Sequence, residues 1–177
     1  MLVIVGGLPA SGKTTLSRAL AGAIGAVHVR IDTIEQAIRD ADAYANGDAR
    51  PVGAAGYVVG YAVARDLLGQ GLTVIAESVN PLPVTRQSWR DVARSAGTGC
   101  VEVEVVCSDP DEHRRRAAGR TIDIPGLRPP TWAEITTRDY QPWDVPHTVI
   151  DTAGRITADC LDELLAALAL PAEPDPG

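Results

Sequence analysis

The stretch "LVIVGGLPASGKTTLSRAL", residues 2 to 20, decides how the rest of the chain is read. Its first four residues form an apolar run of strand length, while Leu16, Leu20, Ala23 and Ile24 recur at the spacing of one helix face. Between them, Gly7, Gly12, Lys13 and Thr14 complete the pattern G-x-x-x-x-G-K-[ST] in the strand-loop-helix context that it requires. Glycines let the backbone turn its N–H groups inward, and a helix N-terminus adds partial positive charge. The loop Gly7, Ala10, Ser11, Gly12, Lys13, Thr14 and Thr15 is therefore expected to hold a polyphosphate. Lys13 is expected to reach the outer phosphates and the Thr14 hydroxyl to hold Mg²⁺.

Lys13 is also the only lysine: of sixteen basic residues, the other fifteen are arginine. An ammonium on a thin stem can enter a tight loop and follow a moving phosphoryl group, whereas a guanidinium is broader and prefers fixed fork geometry. Drift toward arginine is tolerated on a surface and opposed here.

Outward from the loop, "VHVRI" (27 to 31), "LTVIA" (72 to 76), "VEVEVV" (101 to 106) and "HTVI" (147 to 150) read as further strands, giving five with the first. Segments with helical spacing lie between them, centred on Tyr57, Tyr61, Ala64 and Leu68, on Trp89, Val92, Ala93 and Ala96, and on Leu161, Leu164, Leu165 and Leu168. This alternation predicts an α/β fold, a parallel sheet with helices on both faces. Glu102 and Glu104 fit awkwardly, since they share a strand face that such a sheet buries; the start of that strand is expected to project beyond the helices. Residues 43 to 53 and 119 to 131, rich in Gly, Pro, Asp and Arg, read as long functional loops. One domain is expected over 1 to 170, with a flexible tail over 171 to 177.

The net charge of −7 disfavours nonspecific nucleic-acid binding, and no apolar run is long enough to span a bilayer. Without a signal-peptide pattern, the chain is expected in the cytoplasm, as a monomer or homodimer. Cys100, Cys107 and Cys160 lack metal-ligand spacing and read as reduced structural thiols. His28, His113 and His147 show no clustering and receive no role.

In an open α/β sheet, ligands bind beyond the carboxyl ends of the strands. Asp32, at the end of the second strand, is placed to accept or orient a substrate hydroxyl proton, and is equally suited to an N-cap. Glu35 and Arg39 follow near the same helix face, with Arg39 a candidate for a substrate anion. Glu77 ends the third strand, where a carboxylate can join the Mg²⁺ shell, and Asn80 and Arg86 are candidate substrate contacts on the same rim. Of the five arginines from Arg114 to Arg128, Arg120 and Arg116 are the candidates to neutralise transition-state charge from a lid over about 116 to 131, with Arg128 a substrate contact. "VIDTAG" (149 to 154) imitates a GTPase D-x-x-G, but it trails the phosphate loop by about 140 residues and the single lysine forbids an N-K-x-D motif; it reads instead as a wall for an adenine base.

Together, the phosphate loop, Asp32 and the arginine-rich 114 to 128 region resemble the small P-loop kinases of the adenylate-kinase-like group: zeta-toxin, chloramphenicol phosphotransferase, gluconate kinase and polynucleotide kinase types, with relatives known only as AAA-family ATPases. The resemblance runs from residue 2 to about 168 and implies a three-layer P-loop fold with strand order 2-3-1-4-5, a catalytic Asp after the second strand (Asp32) and an arginine-bearing lid. The function expected is ATP- and Mg²⁺-dependent transfer of the γ-phosphate to a hydroxyl of a small molecule such as an antibiotic, sugar or nucleoside. A polynucleotide 5′-hydroxyl kinase and a non-catalytic ATP-binding regulator or toxin-like partner are the alternatives.

Overall fold

The computed structural model describes residues 1–47 and 50–169. Its elements run β1 (Leu2–Gly6), α1 (Lys13–Ile24), β2 (Val27–Arg30), α2 (Ile31–Asn46), α3 (Ala55–Gly69), β3 (Val74–Glu77), α4 (Pro83–Ser95), β4 (Cys100–Val106), α5 (Pro110–Gly119), α6 (Trp132–Thr136), β5 (Thr148–Asp151) and α7 (Thr157–Ala169). The five strands form one sheet in the order β2-β3-β1-β4-β5, with every neighbouring pair parallel. This is the expected order, and it sets the phosphate-loop strand in the middle.

The continuous apolar run of β1 follows from that central place. Leu2 and Ile4 pack with Trp89, Val92, Ala64 and Leu68 of α3 and α4, while Val3 and Val5 pack with Leu16, Leu20, Cys160 and Leu164 of α1 and α7. Alternate side chains enter two separate cores, so the strand shows no polar face.

β4 corrects one expectation, because Glu102 does not project beyond the helices. It is 7% exposed, and Arg90 of α4 donates to its Oε1 at 2.9 Å. Glu104 accepts from Tyr140 Oη at 2.7 Å and lies 3.2 Å from His147 Nε2, in the segment 139 to 147 that straps across this end of the sheet. Each carboxylate thus has a charged or polar partner that offsets the cost of covering it, although Glu102 Oε2 is left without a hydrogen bond among the described residues. The stretch 43 to 53 also differs, since α2 continues through Asn46 and α3 starts at Ala55. Positions 48 and 49 of that stretch, position 170 and the tail over 171 to 177 lie outside the described residues. Of the stretch expected as a lid, 116 to 119 belong to α5 and 120 to 131 are irregular. None of the described helices is long and apolar enough to cross a membrane.

Candidate active site

The turn after β1 depends on two glycines. Gly7 has φ 137°, and a Cβ there would fall 2.2 Å from the Val105 carbonyl oxygen; Gly12 caps α1 at φ 99° with Thr152 against it. Any other side chain would be strained at both positions, so the loop's shape is written into these residues. Ala10 shares the left-handed region at φ 66°. Lys13, the first residue of α1, is buried, and its Nζ donates to Leu8 O at 3.3 Å across the loop. Burial pushes its ammonium below the ordinary lysine value, with Arg120 and Arg30 adding to that effect and Glu77 and Asp32 opposing it.

Beside Lys13, the Thr14 hydroxyl donates to Glu77 Oε1 at 2.5 Å, and His28 Nε2 lies 2.8 Å from Glu77 Oε2. Burial alone would raise the Glu77 carboxyl, but the His28 contact, Lys13 and Thr14 together bring it below the ordinary value and keep it ionised. A hydroxyl and an ionised carboxylate facing one another suit Mg²⁺, which takes few protein ligands and fills its shell with phosphate oxygens and water. No cluster of three His, Cys, Asp or Glu fit for a metal occurs among the described residues. His28 escaped the sequence reading because its partner stands 49 positions away, across the β2–β3 pair.

Two cavities meet over this loop. The first, about 760 Å³, is lined by Gly12 to Thr15, Arg18, Arg30, Arg116, Asp123, Thr152 and Arg155, among others. The second, about 830 Å³, is lined by Asp32, Glu35, Arg39, Tyr57, Ser78, Arg128 and Arg138, among others. Lys13 and Arg120 line both.

On the first side, Thr152 follows β5 and donates its hydroxyl to Ser11 O at 2.7 Å, locking the "VIDTAG" strand end onto the phosphate loop. Arg116 holds Thr152 in turn, at 2.7 Å to its Oγ1 and 2.8 Å to its carbonyl oxygen, and pairs with Glu112. It thereby builds the wall of the first cavity instead of reaching across from the lid. Arg120 has no ion pair among the described residues.

On the second side, the start of α2 corrects the capping alternative for Asp32. The N-cap is Arg30, and Asp32 stands in the first turn with its carboxylate partly exposed toward the cavity. Glu35 and Arg39, on the same helix face, pair at 3.3 Å. Burial raises the Glu35 carboxyl above its ordinary value, Arg39 opposing and Asp32 reinforcing the rise. Arg128 pairs with Glu134, which closes a capping box on α6. Tyr57 of α3 lines this cavity as well.

Two proposed contacts lie elsewhere. Asn80 and Arg86 are fully buried: Asn80 accepts from Trp89 Nε1 at 3.2 Å, and Arg86 donates to the Gln141 and Pro142 carbonyls and lies under the Trp143 ring. Neither lines either cavity. Both follow β3 closely in sequence, but the chain turns inward at Asn80, whose φ is 49°, so proximity in sequence misleads about direction.

Residues 2–123 match a family model described as an AAA domain. The chain belongs to this AAA-domain family. No curated protein matches it in sequence. Among solved structures, this AAA-domain chain is similar to a proposed kinase from Chloroflexus aurantiacus, at 23% identity over 94% of each chain with a TM-score of 0.70. It is also similar to a gluconokinase from Sinorhizobium meliloti, at 18% identity over 94% of this chain and 90% of that one, TM-score 0.63. A third is the Mycobacterium tuberculosis APS kinase in complex with AMPPNP and APS, at 20% identity over 94% and 96%, TM-score 0.65. Identities this low establish a shared fold, the P-loop NTPase fold.

Proposed function

We propose that the protein is an ATP- and Mg²⁺-dependent phosphotransferase that moves the γ-phosphate to a hydroxyl of a small polar molecule. The observation that carries this reading is the meeting of two cavities at Lys13 and Arg120, one over the phosphate loop and one containing Asp32. A simple nucleotide switch needs only the first.

In this reading the nucleotide lies in the first cavity, its phosphates on the loop amides and its base toward Thr152, Arg116 and Arg155. Thr14 and Glu77 would hold Mg²⁺, which when bound neutralises the β- and γ-phosphates and withdraws charge from the leaving oxygen. Asp32 orients the acceptor hydroxyl and takes up its proton as the oxygen attacks phosphorus. Lys13 and Arg120 face the equatorial oxygens as the phosphoryl group passes between the cavities, and lid residues 120 to 131 exclude water. Positioning and charge supply the rate, since this chemistry asks little covalent work of the protein. Glu35, Arg39, Asp40 and Arg138 give the acceptor site both signs of charge, suited to a polyhydroxylated molecule rather than an apolar one.

The test is ADP production from Mg·ATP in the presence of sugars, nucleosides, hydroxylated antibiotics and 5′-hydroxyl oligonucleotides. Stimulation by one small-molecule class supports the proposal; stimulation by oligonucleotides alone, or by none, contradicts it.

A further inference from the structure

Arg30, the last residue of β2, is 7% exposed, yet it lines the nucleotide cavity beside Lys13 and Thr14. Its Nη1 donates to both carboxylate oxygens of the lid residue Asp123, at 2.9 and 3.1 Å, and Arg18 of α1 grips the same carboxylate. Its Nε and Nη2 are buried with no hydrogen-bond partner among the described residues, and the Asp32 carboxylate stands 3.9 Å from Nη2, beyond hydrogen-bond reach. A guanidinium offers five N–H donors, and leaving two of its nitrogens buried and unsatisfied costs free energy that a structural arginine normally recovers. Arg90 shows the contrast within this chain: it is largely buried, and its Nε, Nη1 and Nη2 donate to Gln87, Glu102 and Asp144 respectively. The field at Lys13 agrees, since Arg30 lowers the lysine together with Arg120.

We propose that Arg30 is a γ-phosphate-binding residue whose free nitrogens serve the transferring phosphoryl group while its Nη1 holds the lid through Asp123. A single side chain thereby senses the third phosphate and couples it to lid position. The assignment rests on the phosphotransferase reading only in so far as the first cavity holds a nucleoside triphosphate. It adds a cation supplied by the sheet to the pair, Lys13 and Arg120, that lines both cavities. No acceptor takes part.

The experiment is calorimetric titration of the full chain with Mg·AMPPNP and with Mg·ADP, without any acceptor. Arg30→Met is expected to lose about tenfold or more in affinity for Mg·AMPPNP, the size of a lost charge-assisted contact, and to keep Mg·ADP within about twofold. Retained ADP binding also reports a folded loop. Arg30→Lys is expected to recover part of the loss, and Asp123→Asn, which releases the lid without touching the free nitrogens, to keep the preference for the triphosphate. Equal loss for both nucleotides, no loss, or a full copy of the effect in Asp123→Asn would overturn the assignment while wild-type binding stands. A wild-type protein that binds neither nucleotide overturns the phosphotransferase reading and the assignment with it.

Discussion

The two cavities are built in different ways. The first cavity, read as the nucleotide's, rests on the ends of β1 and β5 and the start of α1, and its contacts tie these elements together under at least partial cover: Lys13 to Leu8, Thr14 to Glu77, Thr152 to Ser11 and Arg116 to Thr152. The second cavity, read as the acceptor's, is lined by α2, by Tyr57 of α3, by Ser78, Val79 and Pro81 after β3 and by residues of the 120 to 138 stretch, and its ion pairs are local and partly or largely exposed: Arg39–Glu35 within α2 and Arg128–Glu134 at the start of α6. One half is held by backbone geometry that few sequences satisfy, the other by side chains that can be exchanged at small cost. On the proposed reading, the rigid cavity holds the phosphate donor and the adaptable one the hydroxyl acceptor, an arrangement in which the acceptor side changes without disturbing the donor side.

Substitutions should respect this division. The largest effect belongs to Lys13→Ala, expected to lower turnover about 10³-fold, as removal of a buried transition-state cation does. Asp32→Asn should follow, losing about 10²-fold or more in kcat while nucleotide affinity stays within about twofold; a comparable loss of ATP binding would move Asp32 to the donor side. These two are read by steady-state rates and nucleotide titration.

Gly56→Ala probes the acceptor side from behind. A Cβ there falls 2.3 Å from Glu35 Cγ, so the α2–α3 contact must shift the carboxylate that lines the cavity. The acceptor KM should rise severalfold while nucleotide affinity does not move. The lid clasp supplies the smallest effect. Hydrogen bonds from Arg18 and Arg30 depress the Asp123 carboxyl well below the ordinary aspartate value of 3.8, so its contribution is complete above that pH and is lost as pH falls through the depressed value. Asp123→Asn should therefore show faster hydrogen exchange over residues 120 to 131 than wild type near neutral pH, and the difference should shrink as pH drops below 3.8. A difference that persists there would show that the charge is not what holds the lid.

The same division explains what the sequence made legible. The phosphate loop is one contiguous stretch whose glycines are forced by backbone angles, and β1 declares itself central by having no polar face; strand order and loop could both be read. Asp32 and Glu77 followed because strand ends in such a sheet point to one edge. Glu102 and Glu104 misled because their partners, Arg90, Tyr140 and His147, come from other elements, and charge alone does not reveal a partner. Asn80 and Arg86 misled for a related reason: a polar residue beside a site looks like a ligand contact until its donors are found on Pro142, Gln141 and Val5 carbonyls. Arg30 was invisible as anything but a strand residue, since its significance lies in two nitrogens without partners, a property of three-dimensional packing.

The most direct test of donor and acceptor cavities joined at Lys13 is to follow the label from γ-³²P-ATP in a single turnover, with and without the acceptor class that stimulates ADP release. The account predicts label on the acceptor hydroxyl at the rate of ADP formation, with neither product in Lys13→Ala. Label appearing only as inorganic phosphate, at a rate indifferent to every acceptor, would contradict it.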